Sequence, residues 1–363
     1  MKVALIHEWL DGYAGSERVL EQMLLCWPEA ELFVLCDFLP GEERHFLRGK
    51  VPRTSFIQRL PFARRMFRNY LQLMPLAVEQ FDLRGYDLVV SSSHAVAKGV
   101  ITGPGTRHVS YVHSPMRYAW DLQGQYLRQS GMERGVKGLY TRWLLHRLRN
   151  WDAVSAQRPD LLLANSSFIA ARIRKAWRRE AAVLHPPVDV AGFPMATGPR
   201  RHFAVASRQV PYKRLELVAE AFRRMPDLRL VIAGDGPSAP LVREAAAGAP
   251  NIEVLGRVSQ PKLVELVQGA RAFVFAAEED FGIALVEAQA AGTPLVCFGR
   301  GGAADIVQAD TGVLFAEQTP EAIIAAVRGF VAEEARFTPQ ACRANAERFS
   351  AEAFRARLME HCA

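Results

Sequence analysis

Glu279 and Glu287 are the carboxylates whose spacing most constrains their chemistry. They lie in Glu278-Glu279-Asp280-Phe281-Gly282-Ile283-Ala284-Leu285-Val286-Glu287, directly after the apolar run at 271–276. Glu279 sits just past a strand and Glu287 eight residues on, in a helix expected over 282–291; eight residues at a helical rise of ~1.5 Å would cover roughly 12 Å. At that distance they share neither a proton nor a metal ion. They suit the two ends of an elongated ligand. Between them sits a helix N-terminus, where free N–H groups and the positive dipole end favour phosphate. The spacing fits a nucleotide-diphospho-sugar, with the sugar at Glu279, the diphosphate over Gly282, Ile283, Ala284 and Leu285, and the ribose hydroxyls at Glu287. Taken alone, the same pattern also describes an acidic helix start with a surface glutamate.

Other segments add to the pair. Arg208 and Lys213 flank a turn containing Pro211, just past the apolar run at 202–206. Two cations there answer the negative charge that builds on a departing diphosphate. Gly234 and Gly236, in Ala233-Gly234-Asp235-Gly236-Pro237, permit close approach of a flat base. Arg257 and Val258 end the next strand and frame the same base. Near the N-terminus, Gly12 and Gly15 bracket a first β–α turn whose amides can meet phosphate. The turn lacks the G-x-G-x-x-G spacing of a dinucleotide site. His113 ends another strand and is expected at the site. There is no HExxH, GxSxG, GxxxxGK[ST] or Asp-x-Asp motif.

The elements that must hold these residues are strands alternating with helix-length segments. Strands are expected at 2–7, 31–36, 87–92, 108–113 and 160–165. A second series falls at 202–206, 228–233, 252–255, 271–276 and 294–298, with helices at 213–225, 238–247 and 282–291 between them. This alternation implies βαβ units and parallel sheets. The stretch 185–200 is rich in Pro and Gly and reads as a linker. The expected fold class is α/β, as two Rossmann-like doubly wound domains facing across a cleft. With 363 residues the chain is long enough for two such cores. No apolar run reaches the ~18 residues of a membrane span. Five cysteines, odd in number and without C-x-x-C spacing, argue against a disulfide framework and a zinc site. The first apolar run turns polar at His7-Glu8, too soon for a signal-peptide core, so a cytoplasmic chain is expected.

As an ordered series these segments resemble the retaining glycosyltransferases of family 4, which have the GT-B fold. The resemblance runs through Ala14-Gly15-x-Glu17-Arg18, Asn165-Ser166, His185-Pro186-Pro187-Val188-Asp189, Arg208…Lys213, Gly234-Asp235-Gly236 and Glu279…Glu287. It implies an acceptor-binding domain at 1–186, a linker at 187–200 and a nucleotide-sugar domain at 201–349. It also implies that the C-terminal helix, 350–363, crosses back to the first domain. By the same resemblance Arg208 and Lys213 bind the diphosphate, Glu279 orients the donor sugar with help from the following amides, and Glu287 binds ribose. Gly15 offers an amide to the distal phosphate, and His113 lies near the sugar. One departure is Ala14, which replaces the first glycine of the usual Gly-Gly loop. The family keeps anomeric configuration, needs no metal or other cofactor, and is usually described as using same-face attack. His7-Glu8-Trp9-Leu10 and His113-Ser114-Pro115-Met116-Arg117-Tyr118-x-Trp120-Asp121 resemble bacterial O-antigen and exopolysaccharide mannosyltransferases. That implies transfer of mannose from GDP-mannose to a lipid-linked glycan, with a UDP- or dTDP-sugar as the alternative donor.

The net charge of +7 lies in the first half, which carries 26 Lys+Arg against 17 Asp+Glu in residues 1–186. Residues 44–78 hold eight basic residues and no acid, and 134–149 hold five and none. Both segments suit an anionic membrane surface or a polyanionic partner, and equally describe a solvated basic face; the resemblance implies a peripheral protein on the inner face of the cytoplasmic membrane. In 59–68 a helix begun by Pro61 is expected to present Arg64, Arg65 and Arg68 on one face beside Phe62 and Met66, with Arg59 nearby. Three rival functions are weaker. A sugar-nucleotide epimerase needs carboxylates and histidines converging on one carbon, and no such cluster stands out. A solute-binding protein needs export. A nucleic-acid binder lacks a recognition motif.

Overall fold

The structure is a computed structural model that describes residues 1–195 and 198–363. The chain divides into two compact units, Met1–His185 with Phe354–Ala363, and Pro186–Ala353.

The first unit runs β1 (Val3–His7), α1 (Gly15–Cys26), β2 (Glu31–Val34), β3 (Arg53–Thr54), α2 (Ala63–Met66), α3 (Met74–Glu79) and β4 (Leu88–Ser93). It continues through β5 (Arg107–Val112), α4 (Gln123–Gln129), α5 (Gly135–Ser155), β6 (Leu161–Ala164), α6 (Ser167–Trp177) and β7 (Ala182–Val183). Its sheet has the order β3-β2-β1-β4-β5-β6-β7, and its strand pairs are parallel. Every residue of β1 and β4 is buried, as required of strands covered on both faces. Alternate side chains feed two layers, with Val3 and Leu5 in one and Ala4 and Ile6 in the other. Local caps set the helix starts. Glu17 reaches back to the Ala14 amide at 3.0 Å, and Ser166 Oγ accepts the Ile169 amide at 3.1 Å.

The second unit runs β8 (His202–Ala206), α7 (Leu215–Arg223), β9 (Leu230–Ala233), α8 (Ala239–Ala246), β10 (Ile252–Gly256) and α9 (Gln260–Gln268). Then come β11 (Ala270–Phe275), α10 (Ile283–Ala290), β12 (Leu295–Phe298), α11 (Ala303–Ile306), β13 (Gly312–Phe315), α12 (Pro320–Ala332) and α13 (Pro339–Glu347). Its parallel sheet has the order β10-β9-β8-β11-β12-β13. The last helix, α14 (Ala351–Cys362), belongs from Phe354 onward to the first unit. There Phe354 packs on Tyr111 with ring centroids 5.7 Å apart. The expected linker is partly core, because Val188, Val190 and Phe193 are buried in the second unit. Two of its residues, 196 and 197, lie outside the described residues.

The expected helix at 59–68 is broken. Phe62 is left-handed (φ +55°), α2 lasts one turn, and Met66 leaves helical geometry (φ −130°) before a 3-10 segment at Phe67–Leu73. Arg68 therefore does not join Arg64 and Arg65 on a common helical face. It pairs with Asp11 at 2.5 Å and lies over the Phe67 ring.

Burial of histidines gives the first unit an acid-sensitive interior. Burial pushes His108 down to about 4 against the pull of Asp160. Burial, then His94 and His7, bring His113 to about 3. Below about pH 6.5 the unfolded chain takes up protons on these residues that the folded chain refuses. Stability therefore falls as pH drops from 6.5 towards 4, by up to ~1.4 kcal/mol per pH unit per histidine. Urea midpoints are expected to fall between pH 7 and pH 5, and His108→Gln should flatten that slope. An unchanged slope in the variant refutes the assignment.

Candidate active site

In the second unit the expected residues lie past the carboxyl ends of β8, β9, β10 and β11. After β8 the chain turns through Ser207-Arg208-Gln209-Val210, and Gln209 fastens this turn. Its amide donates to Asp235 O at 2.9 Å, and its Nε2 donates to Gly234 O at 2.8 Å. Gly234, at φ +118°, lies so close to Ser207 that a Cβ would sit 1.9 Å from the Ser207 carbonyl oxygen. The Gly-Asp-Gly turn thus serves first to dock the Arg208 loop, and it leaves the Arg208 side chain exposed. Lys213 ends a 3-10 turn, directly before the left-handed Arg214 (φ +56°). Its ammonium is ion-paired with the Glu279 carboxylate and lies 5.3 Å from the Phe275 ring centre. Residues 66 apart in sequence are thereby brought into direct contact.

A cavity of about 240 Å³ opens at the carboxyl ends of β8, β9 and β10 in the same sheet, and neither Lys213 nor Glu279 is part of its lining. Gly234, Arg257, Val258, Ala284 and Glu287 are among its lining residues. Its apolar walls, including Val267 and Phe273, suit a nucleobase, and Glu287 suits a ribose diol. Gly282 caps α10 at φ +98°. The Leu285 amide is already engaged, donating to Gly282 O at 2.9 Å, so of the expected stretch Ile283 and Ala284 open the helix. The side chains of Phe281 and Leu285 are buried core, with Phe281 against Phe349 at 5.6 Å. Gly236 and Asp280 do not line the cavity. Sequence reasoning missed Gly301 and Gly302, which brace the acidic loop from behind. The Gly302 amide donates to Glu279 O at 2.9 Å, and a Cβ on Gly302 would lie 2.2 Å from Phe281 O. The signal was present as the Gly-Gly pair after the 294–298 run.

In the first unit a cavity of about 380 Å³ lies at the end of β1, lined by Trp9, Gly12, Tyr13, Ala14, Glu17 and His94 among others. Gly15 begins α1 next to this lining. Beneath it runs a polar chain. Glu17 Oε1 lies 3.3 Å from His7 Nε2, His7 Nδ1 lies 3.1 Å from Ser92 Oγ, and Ser92 Oγ lies 2.9 Å from His113 Nε2. Burial opposes ionisation of Glu17, but the His7 hydrogen bond and charge bring its pKa down to about 2. His113 is neutral at physiological pH. Glu8 is fully buried and accepts the amides of His94, Ala95, Val96 and Ala97 at 2.7–3.1 Å. Burial works to raise its pKa, and His94 with these amides overcomes that effect and holds it low. Contrary to the sequence expectation, then, carboxylates and histidines do converge: His7, Glu8, Glu17, His94 and His113 are neighbours. Glu8 and Glu17 are committed to that network.

Two family models match the chain in series. Residues 13–191 match Glycosyltransferase Family 4, and residues 197–349 match Glycosyl transferases group 1. The chain carries these two glycosyltransferase domains in series. A stretch of 126 residues is 36% identical to a GDP-mannose-dependent alpha-(1-6)-phosphatidylinositol dimannoside mannosyltransferase of Mycobacterium tuberculosis, covering 34% of this chain and 32% of that protein. The D-rhamnosyltransferase WbpZ of Pseudomonas aeruginosa is 28% identical over 213 residues, 54% of each protein. The chain thus aligns with about a third to a half of the length of these relatives. Among solved structures, Anabaena Alr3699/HepE in complex with UDP superposes with a TM-score of 0.70 at 16% identity, covering 99% of both chains. Sucrose-phosphate synthase from Thermosynechococcus elongatus gives 0.71 at 15% identity, covering 99% of this chain and 98% of that one. The fold is GT-B, built from two Rossmann-like α/β units.

Within this glycosyltransferase pair of domains, the segment 113–121 has a partly structural purpose. Trp120 Nε1 donates to the buried Asp152 at 2.7 Å, and Asp121 pairs with Arg172 at 2.5 Å. From that segment His113 enters the polar chain that ends at the β1 cavity. Among the described residues no cluster of His, Cys, Asp or Glu has the arrangement of a metal site.

Proposed function

We propose that the chain is a retaining glycosyltransferase that moves a hexose, best mannose from GDP-mannose, from a nucleotide-diphospho-sugar to a lipid-linked glycan at the cytosolic leaflet. The observation that carries this reading is the Lys213–Glu279 pair past the carboxyl ends of β8 and β11, on the same sheet edge as the cavity that Glu287 lines. It puts a cation for the leaving diphosphate next to a carboxylate for the donor sugar. Arriving diphosphate draws the Lys213 ammonium onto its oxygens, with Arg208 and the amides of Ile283 and Ala284 sharing the charge. Glu279, released from Lys213, accepts from a sugar hydroxyl. The departing phosphate oxygen takes the acceptor's proton on the same face, so no protein base is required. Gly15 and neutral His113, the latter positioned through Ser92, are assigned to the distal phosphate and a sugar hydroxyl.

Arg257 supports a guanine base. It is exposed at the cavity rim, and its forked donors match guanine O6 and N7. The GDP-mannose dependence of the mycobacterial relative points the same way. A UDP-sugar is the second reading, favoured by the UDP and UDP-glucose held by the Anabaena neighbour. Thermal shift against GDP, UDP, dTDP and ADP separates the two. Saturation at ~100 times Kd adds about 2.7 kcal/mol of stability, and GDP is expected to raise Tm most. A larger shift with UDP overturns the donor assignment, and no shift with any nucleotide overturns the reaction class. Because Arg208, Lys213 and the α10 N-terminus supply the positive charge, turnover is expected to persist in EDTA. Complete loss in chelator, restored by Mg²⁺ or Mn²⁺, refutes that expectation.

A further inference from the structure

Helix α5 carries apolar stripes on opposite sides. One is Gly138, Leu145 and Leu148, buried together with Asp152 and Ser155 against the first unit. The other is Val136, Leu139, Tyr140 and Trp143, spaced i, i+3, i+4, i+7 on one face of the helix. This second stripe faces solvent, with exposures of 86%, 70%, 50% and 54%. Tyr140 and Trp143 stack on each other at 5.9 Å, and Arg147 lies 5.7 Å from the Trp143 ring centre. Arg134, Lys137, Arg142 and Arg147 are all exposed around the stripe, and 134–149 contain no acidic residue.

A second exposed group lies alongside. The Tyr140 hydroxyl donates to Gln72 Oε1 at 2.7 Å, tying the start of α5 to the 67–73 segment. Just before that segment, Phe62 is 77% and Met66 46% exposed, flanked by exposed Arg59, Arg64 and Arg65. The two basic stretches, far apart in sequence, thus meet through one hydrogen bond. Neither Phe62 nor Met66 is used to cover the core.

We propose that the exposed α5 stripe is a membrane-docking surface that inserts Val136, Leu139, Tyr140 and Trp143 below an anionic headgroup layer. The charge decides the occupant. Exposed cations on both flanks of an apolar line complement anionic lipid, while aromatic rings with polar tips settle at the headgroup boundary. An apolar groove of a protein would satisfy the stripe and leave its basic flanks unanswered. The surface shares with the proposed function only the expectation of a lipid-borne acceptor, and it is independent of the sugar transferred.

The test is co-sedimentation of the full chain with phosphatidylglycerol-containing vesicles and with pure phosphatidylcholine vesicles. Wild type is expected to bind the former and not the latter, and to release in high salt. The double variant Leu139→Asp/Trp143→Asp is expected to lose binding. Lys137→Glu/Arg142→Glu/Arg147→Glu is expected to weaken it by about 10²-fold. Because all five side chains are exposed, circular dichroism, Tm and the nucleotide-induced thermal shift should be unchanged, which separates failure here from failure of the donor site. A blue shift of tryptophan emission on vesicle addition should disappear in Trp143→Phe. Equal sedimentation of wild type and Leu139→Asp/Trp143→Asp overturns the proposal, as does equal binding to phosphatidylcholine. A lipid-free dimer that the same double variant dissolves assigns the stripe to a second copy and also overturns it.

Discussion

Lys213→Ala is expected to lower kcat by about 10²-fold or more, because losing one preorganised charge contact to a developing anion costs roughly 3 kcal/mol. The structure makes the expectation specific. Lys213 is held against Glu279 and over Phe275 before any donor arrives, and the diphosphate exchanges that carboxylate partner for its own oxygens. Arg208→Ala should cost a similar factor. The Arg208 loop itself is held by Gln209 and the glycine turn, none of which needs the guanidinium. Neither side chain belongs to a core cluster, so Tm should move little. Glu279→Gln separates the roles further. It frees Lys213 from its ion pair yet should still lower kcat, because its carbonyl is a weaker acceptor than the carboxylate for a sugar hydroxyl. The measurement is kcat and KM with the donor identified by thermal shift. Turnover of Lys213→Ala within a few-fold of wild type removes that residue from the leaving-group assignment.

Asp152→Ala is expected to be the most damaging substitution for stability. Asp152 is fully buried, and one carboxylate oxygen accepts from both Trp120 Nε1 and Trp177 Nε1 at 2.7 Å. The other is ion-paired with Lys98, whose ammonium is itself buried, bonds the Ala95 carbonyl at 3.2 Å and lies 4.9 Å from the Trp177 ring centre. Removing the carboxylate strands one buried cation and two indole donors. Breaking such a pair costs about 3–5 kcal/mol, a large part of the ~5–15 kcal/mol that domains possess. Lys98→Met/Asp152→Asn should recover most of the loss, because it removes the cation and keeps an acceptor for the indoles. Urea denaturation of the three variants checks this. A loss under about 1 kcal/mol in Asp152→Ala contradicts the account.

Both predictions show where the sequence is informative. The inner strands were readable because parallel strands covered on both faces must be continuous apolar runs. This holds for 2–7, 202–206 and 271–276. Edge strands β3 and β7 were not readable, since two residues carry no periodicity. Glu279 and Glu287 were legible as a pair because a strand end and the helix after it are both local signals, although only Ile283–Glu287 of the interval is helical. The same local logic failed at 59–68. Helical periodicity assumes continuous helical backbone, and Phe62 and Met66 leave it.

The sequence by itself determined the two-sheet α/β plan and the presence of carboxylates, cations and glycines at strand ends. These are properties of short stretches, set by burial and local periodicity. Tertiary structure decided which of those residues touch. The adjacency of β8 and β11 brings Lys213 to Glu279, and β1 between β2 and β4 brings His7 to Ser92 and, through it, His113. Packing of α5 decides which of its two apolar stripes is covered. Sheet order and helix rotation come from long-range burial, with partners tens of residues apart, and no local periodicity records them.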